Sequence, residues 1–253
     1  MFAVSKRIFL DSVDSTNTYL LLRADRFDSG DYAVAASQTA GRGRLGRRWE
    51  NNGDGVRDRL FMSVLLKDLP ASSDVTKYTL ISAVAVRRAV FALCGGDVAI
   101  KWCNDILLRQ GSEYRKIAGI LCESRFSGGI ANIVIGIGVN VGGSYGFYAD
   151  RGYAHASSVG DITGVQFTCD EVENAVVREL YPLLDSKLGD VLPEYAENCV
   201  TIGRDVRVIR GGETVAAFAK ALDEHGGLIC ENESGRFTVS SGEVSVRGAA
   251  GYI

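Results

Sequence analysis

The sequence predicts an α+β fold, with helices packed on a mixed or antiparallel sheet and a small β-barrel after it. Three observations lead there. Short β-rich runs follow one another from Val98 to Val141 with only polar or glycine turns between them, as consecutive antiparallel strands do. Stretches of helical periodicity lie on both sides of those runs. From Asp205 onward the pattern shortens to five brief strands divided by GG, HGG, ESG and SG turns.

Taken in order, the Ser/Thr/Asn cluster at Ser15 to Asn17 caps a helix that runs to Arg23, with Tyr19, Leu20 and Leu22 giving it an apolar side. Tyr32 to Ala36 reads as a short buried strand. It empties into SQTAGRGRLGRRWENNGDGVRDR, where glycine and arginine replace apolar residues, so this stretch is not core. Regular structure resumes with a strand at Leu60 to Leu66 and a long buried helix from Asp74 to Leu93. The strands VAIKW, DILLR, KIAGILCESRF and ANIVIGIGVNV follow. Gly142 to Gly164 is glycine-rich and weakly periodic, and Asp170 to Leu184 and Leu188 to Cys199 read as two further helices. The expected division is a domain over residues 1–201 and a small β-barrel domain over residues 202–253.

The composition narrows the functional classes. With 46% apolar and 23% charged residues the chain is an ordinary globular one, and a net charge of −3 argues against broad attraction to nucleic acid, so any polyanion site is local. The six cysteines contain no CxxC pair, which suggests neither a zinc cluster nor a disulfide framework and points to reduced thiols in a cytoplasmic protein. The start has too short an apolar run for a signal peptide, and Arg87 and Arg88 interrupt the longest apolar stretch, so no membrane span is expected.

Two places concentrate chemistry. In GRGRLGR (Gly41 to Arg47) guanidiniums alternate with residues that let the backbone bend and approach a ligand. Arginine holds carboxylate or phosphate through paired, charge-assisted hydrogen bonds, and such a loop can close over a ligand as a lid. A solvated basic loop or an RNA-contacting segment is the alternative. In KWCND, Lys101, Trp102, Cys103, Asn104 and Asp105 gather a cation, an aromatic, an amide and a carboxylate at one sheet end. Asp105 there can orient a basic group or a metal ion, or simply stabilise a turn. Lys116 opens an apolar strand and can point its charge into a pocket, and the glycines of GIGVN permit close approach of a flat ligand that Asn140 could read.

In this order, DSTN, QTAGRGRLGRRW, KWCND, KIAGIL and GIGVNV resemble the signature blocks of biotin protein ligases, and IGRDVRV and SGEVSVR resemble their C-terminal domain. The resemblance implies a class II synthetase-like catalytic domain with an SH3-like C-terminal barrel. It implies ATP-dependent, AMP-forming attachment of biotin to a lysine of a biotin carboxyl carrier protein, with biotin and ATP as substrates, Mg2+ required, and no fixed protein metal site. Ser15, Thr16, Asn17, Gln38 and Gly41 would line the biotin site, and Arg42, Gly43 and Arg44 would cover it. Arg47 would contact phosphate, Trp49, Asn104 and Asn140 would lie by the adenylate, and Lys116, Arg44 and Asp105 would serve catalysis. Two departures stand beside the site: Cys103 replaces the usual proline, and Glu50, Asn51 and Asn52 replace the serine-proline after the loop tryptophan. Cys103 is not expected to be a nucleophile, because His155 and His225 lie in other segments. Too few residues precede Arg7 for a DNA-binding helix-turn-helix, so no DNA is expected as partner; a monomer or homodimer is. A lipoate or octanoyl transferase of the same fold, and a noncatalytic RNA- or ligand-binding protein, are the competing readings.

Overall fold

A computed structural model describes residues 6–49, 57–241, 244–248 and 252–253. Seven strands, β1 (Arg7–Leu10), β2 (Tyr32–Ala35), β3 (Arg59–Pro70), β4 (Val98–Lys101), β5 (Asp105–Gln110), β6 (Glu113–Ser127) and β7 (Ile130–Asn140), make one sheet in the order β1-β2-β3-β7-β6-β5-β4. Strands β4 to β7 are an antiparallel meander, each paired with the next in sequence. The sheet is mixed, because β1 runs parallel to β2. The sequence reading has no strand at β1, whose four residues are too few to show a period.

Each face of the sheet carries helices, as the continuously buried central strands require. Helix α1 (Thr16–Leu22) lies on one face, where Leu20 packs with Ala33, Leu65 and Val134. On the other face lies α2 (Val75–Cys94), which starts where the Asp74 side chain accepts from Thr76 N and stops at Gly95 in the left-handed region at φ 63°. Its residues Leu80, Ile81 and Val84 join Met62, Val64, Ile135 and Ile137 in the main core. Helix α5 (Cys169–Leu184) begins with a capping box between Thr168 and Glu171, and α6 (Leu188–Glu197) follows it. Between them and β7 the structure adds two short helices that the periodicity does not show, α3 (Tyr145–Ala149) and α4 (Val159–Thr163). Each has five residues, too few for an apolar stripe, and each is set by a serine cap, Ser144 and Ser158.

A separate five-stranded antiparallel sheet follows, comprising β8 (Arg204–Arg210), β9 (Glu213–Leu222), β10 (Leu228–Asn232), β11 (Gly235–Val239) and β12 (Val244–Gly248) in the order β11-β10-β9-β8-β12. Trp102 ties it to the first sheet, since its indole donates to Gly226 O at 3.0 Å and its backbone N–H to Thr201 Oγ1 at 3.0 Å. The architecture is therefore a mixed α+β domain with a second β domain docked on it. Among the described residues, no helix is long and apolar enough to cross a membrane.

Candidate active site

Side chains alternate across a strand, so the residues of β3, β7 and β6 on the α1 face can be read from the register. Phe61 pairs with Gly138 and Ser63 with Gly136, and on the next strand Gly119 and Leu121 stand beside those two glycines. Three glycines on one face leave the sheet surface bare. A cavity of about 310 Å³ opens over it. The glycines are spatially required: a Cβ on Gly136 would sit 2.4 Å from Asn17 Oδ1, and one on Gly138 would sit 2.6 Å from the Trp49 ring.

One end of the cavity is neutral and polar. Gln38 Oε1 accepts from Thr16 N at 2.8 Å and from Thr16 Oγ1 at 3.1 Å. Ser63 Oγ lies 2.7 Å from Thr16 Oγ1 and 2.6 Å from Asn17 Oδ1, while Asn17 Nδ2 donates to Leu121 O and to Glu123 Oε2. Ser15, Thr16, Asn17 and Gln38 are all buried, and their donors and acceptors fit a ligand that is itself a mixed donor and acceptor. Gly136→Ala tests this cradle. It should displace Asn17 from buried hydrogen bonds worth about 1–3 kcal/mol, weakening the binding of a ligand seated on that cradle roughly tenfold or more by titration calorimetry; unchanged affinity would remove Asn17 from the site.

The other end is charged. Lys116 Nζ lies 2.5 Å from Asp105 Oδ1, and the Tyr252 hydroxyl donates to Asp105 Oδ2. Burial pushes the Asp105 carboxyl up, but the Lys116 and Lys101 charges and the hydrogen bonds from Lys116 and Tyr252 outweigh it and hold it below the usual carboxylate range. Burial brings the Lys101 ammonium down to about 8, with Arg247, Lys116 and Arg47 adding repulsion and Asp105 opposing. Burial likewise brings His155 to about 4, helped by Lys116 and Arg247, so its imidazole is neutral at pH 7.

The arginine-glycine loop forms the roof. It turns as a small hairpin, with Arg42 bridged to Arg48, Gly43 N donating to Arg47 O at 2.7 Å, and Leu45 and Gly46 in the left-handed region at φ 57° and 70°. Three of its arginines are held: Arg42 by Glu123 at 3.0 Å, Arg44 by Cys103 Sγ at 2.9 Å, Asn104 Oδ1 at 3.0 Å and the Ser241 carbonyl, and Arg47 by Ser245 Oγ at 3.2 Å. The second domain thus pins the loop from the far side. The Trp49 indole lies on the glycine floor, and its buried Nε1 meets no acceptor among the described residues. Asn140 Nδ2 donates to Ser157 O at 2.9 Å.

All but one of the residues expected from the sequence line this cavity. The exception is Gly41, which packs behind the loop, where a Cβ would sit 2.7 Å from the Trp49 carbonyl oxygen. Cys103 is buried beside the site with its thiol pushed up to about 11 by burial, which suits an inert contact of Arg44 and not a nucleophile. The positions Glu50, Asn51 and Asn52 lie outside the described residues. His155, set aside in the sequence because of its distance along the chain, is brought to the wall of the cavity by Lys116 N donating to its carbonyl at 2.8 Å. Arg59, Arg247 and Tyr252 also line it without having been singled out, as does Lys101, noted in the sequence as the cation of its block but given no role. Lys101 opens the KWCND block and was within reach of sequence reasoning; Tyr252 follows a glycine-alanine run and gives no local signal.

Residues 9–140 match the biotin/lipoate A/B protein ligase family, and residues 201–247 match the biotin protein ligase C-terminal domain. The chain belongs to the biotin protein ligase family. It is 30% identical to the bifunctional ligase/repressor BirA of Escherichia coli over 249 residues, covering 95% of this chain and 74% of that protein. It is 31% identical to the biotin--[acetyl-CoA-carboxylase] ligase of Mycobacterium tuberculosis, over 91% of this chain and 85% of that one. The structure of the Aquifex aeolicus biotin protein ligase in complex with biotin and ATP superposes with a TM-score of 0.78 at 25% identity, covering 97% of this chain and all of that chain. The family activity is ATP-dependent biotin activation and transfer, so the chain is a ligase.

Proposed function

We propose that the cavity joins biotin to ATP as biotinyl-5'-AMP and then passes the biotinyl group to a lysine of a biotin carboxyl carrier domain. The observation that carries this reading is the polarity of the cavity. A neutral hydrogen-bonding cradle at Thr16, Asn17 and Gln38 and a lysine-carboxylate pair at Lys116 and Asp105 lie at opposite ends of a glycine floor, beneath an arginine roof. Biotin has the matching shape: a ureido ring, an apolar body and a terminal carboxylate.

In the first step a biotin carboxylate oxygen bonds to the α-phosphorus of ATP as the bond to pyrophosphate breaks. Two anions converge, and Lys116, with Arg44 and Arg47 above it, neutralises them in a site from which the loop excludes water. In the second step a neutral lysine amine bonds to the activated carbonyl carbon, AMP leaves with the bonding pair, and the amine's proton passes to solvent. Asp105, held ionised beside the reacting carbonyl, stabilises the amine's developing charge through its field.

The cavity does not fit a resident magnesium ion. Among its described lining residues Asp105 is the carboxylate, and both its oxygens are engaged. Magnesium then enters as the magnesium–ATP substrate, carried by the nucleotide's own phosphates. The reading extends to a class II synthetase-like domain over residues 1–201 and an SH3-like barrel over residues 202–253, to a monomer or homodimer, and to the cytoplasm, where six free thiols are stable.

Biotin-dependent pyrophosphate exchange, followed by labelling of a purified carrier domain, tests the proposal; exchange driven by lipoate and not by biotin would overturn it. A pH dependence follows from Lys101. Its ammonium, brought to about 8, attracts the nucleotide when protonated, so the KM for ATP should rise as pH passes from 7 to 9. Lys101→Met should flatten that rise, and a profile identical in both proteins would detach Lys101 from nucleotide binding.

A further inference from the structure

Tyr252 belongs to the C-terminal part of the chain, 147 residues from Asp105, yet its hydroxyl donates to Asp105 Oδ2 within the cavity. The carboxylate is thereby fixed at both oxygens, since Lys116 holds Oδ1. The tyrosine ring is held on several sides. His155 stacks on it with centroids 4.2 Å apart and planes 24° from parallel, Lys101 Nζ lies 3.9 Å from its centroid, and the Arg247 guanidinium lies 5.0 Å away. Offset stacking and two cations over the ring faces leave the hydroxyl little freedom of direction. A ring so clamped aims its hydroxyl, and what it aims at is the acid of the reacting pair.

We propose that Tyr252 is a positioning residue for the ligase reaction, fixing the Asp105 carboxylate so that Lys116 is presented to the converging anions. The proposal rests on the ligase reading above and adds to it a residue from outside the first domain. A carboxylate anchored at one oxygen alone can rotate and carry its lysine with it. Anchored at both, it holds the ammonium in one place before substrates arrive, which is the pre-organisation that electrostatic catalysis depends on. Burial, together with the Asp105 charge, raises the Tyr252 hydroxyl well above its ordinary value, so it remains a donor throughout the working range. The neutral His155 stacked on the ring adds no repulsion to the Lys101 and Arg247 cations already there.

Tyr252→Phe keeps the ring and its stacking and removes only the donor. The expected result is a fall of about tenfold in kcat for carrier biotinylation, with the KM values for biotin and ATP moving less than about twofold and the melting temperature near that of the parental protein. One hydrogen bond to a charged group is of that size. A double-mutant cycle with Asp105→Asn supplies a readout that a merely structural tyrosine would not move: if Tyr252 acts through Asp105, Tyr252→Phe should have no further effect once the acid is gone. A parental kcat in Tyr252→Phe, or effects that multiply independently in the double variant, would overturn the proposal. A parental protein lacking biotin-dependent pyrophosphate exchange would overturn the ligase reading, and the role of Tyr252 with it.

Discussion

Lys116→Ala is expected to lower the rate of biotin-dependent pyrophosphate exchange by about 10²–10³-fold, the usual loss when one electrostatic donor is removed from a water-excluded site. Lys116 is the ammonium fixed nearest the carboxylate end of the cavity, at 2.5 Å from Asp105, with the Trp49 ring 5.4 Å from its Nζ. Without it the biotin carboxylate approaches the α-phosphate with less positive charge between them. The protein should still fold, because Asp105 retains the Tyr252 hydroxyl and the nearby charge of Lys101. Since the loss falls on the chemical step, biotin affinity should change much less than the exchange rate. Exchange at the parental rate would remove Lys116 from the mechanism.

Arg44→Gly should act later in the cycle, on retention of the intermediate. The guanidinium spans three segments: it donates to Cys103 Sγ and Asn104 Oδ1 in the turn before β5 and to the Ser241 carbonyl in the second domain. Its removal frees the roof from the turn and leaves the contact of Arg47 with Ser245 to hold it to the second domain. Charge-assisted hydrogen bonds contribute about 1.5–3 kcal/mol each, so loss of even one should raise the escape rate of biotinyl-5'-AMP by roughly 10–100-fold. A quench and filter-binding time course of labelled adenylate would measure this, and parental retention would mean that the loop does not act as a lid. The two variants would separate the charge proposed to make the intermediate from the cover proposed to keep it.

The residues of the first half of the site were legible because they are contiguous and chemically unusual. The serine, threonine and asparagine that open α1 read in the sequence as a helix cap followed by an apolar stripe, although in the structure Ser15 makes no side-chain cap hydrogen bond, and GRGRLGR is a run that no core element can contain. The meander β4 to β7 was readable because each of its pairings is with the next strand in sequence, so local period and turn chemistry specify it. By contrast, β1 pairs in parallel with a strand more than twenty residues on, and α3 and α4 owe their existence to serine caps and not to a stripe.

By itself the sequence determined the α+β class, the change of pattern near residue 202 and the candidate lid, and through its resemblance to a family it pointed to Lys116 and Asp105 as the candidate reacting pair. Tertiary structure alone decided that Gly119 joins Gly136 and Gly138 on one bare face, because register between strands, not spacing along them, aligns it with that pair. It also decided that Tyr252 reaches Asp105 with His155 and Arg247 packed on its ring, and that the roof is pinned by Ser241 and Ser245. Such contacts join residues far apart in the chain through domain docking, and no local preference of the residues concerned encodes them.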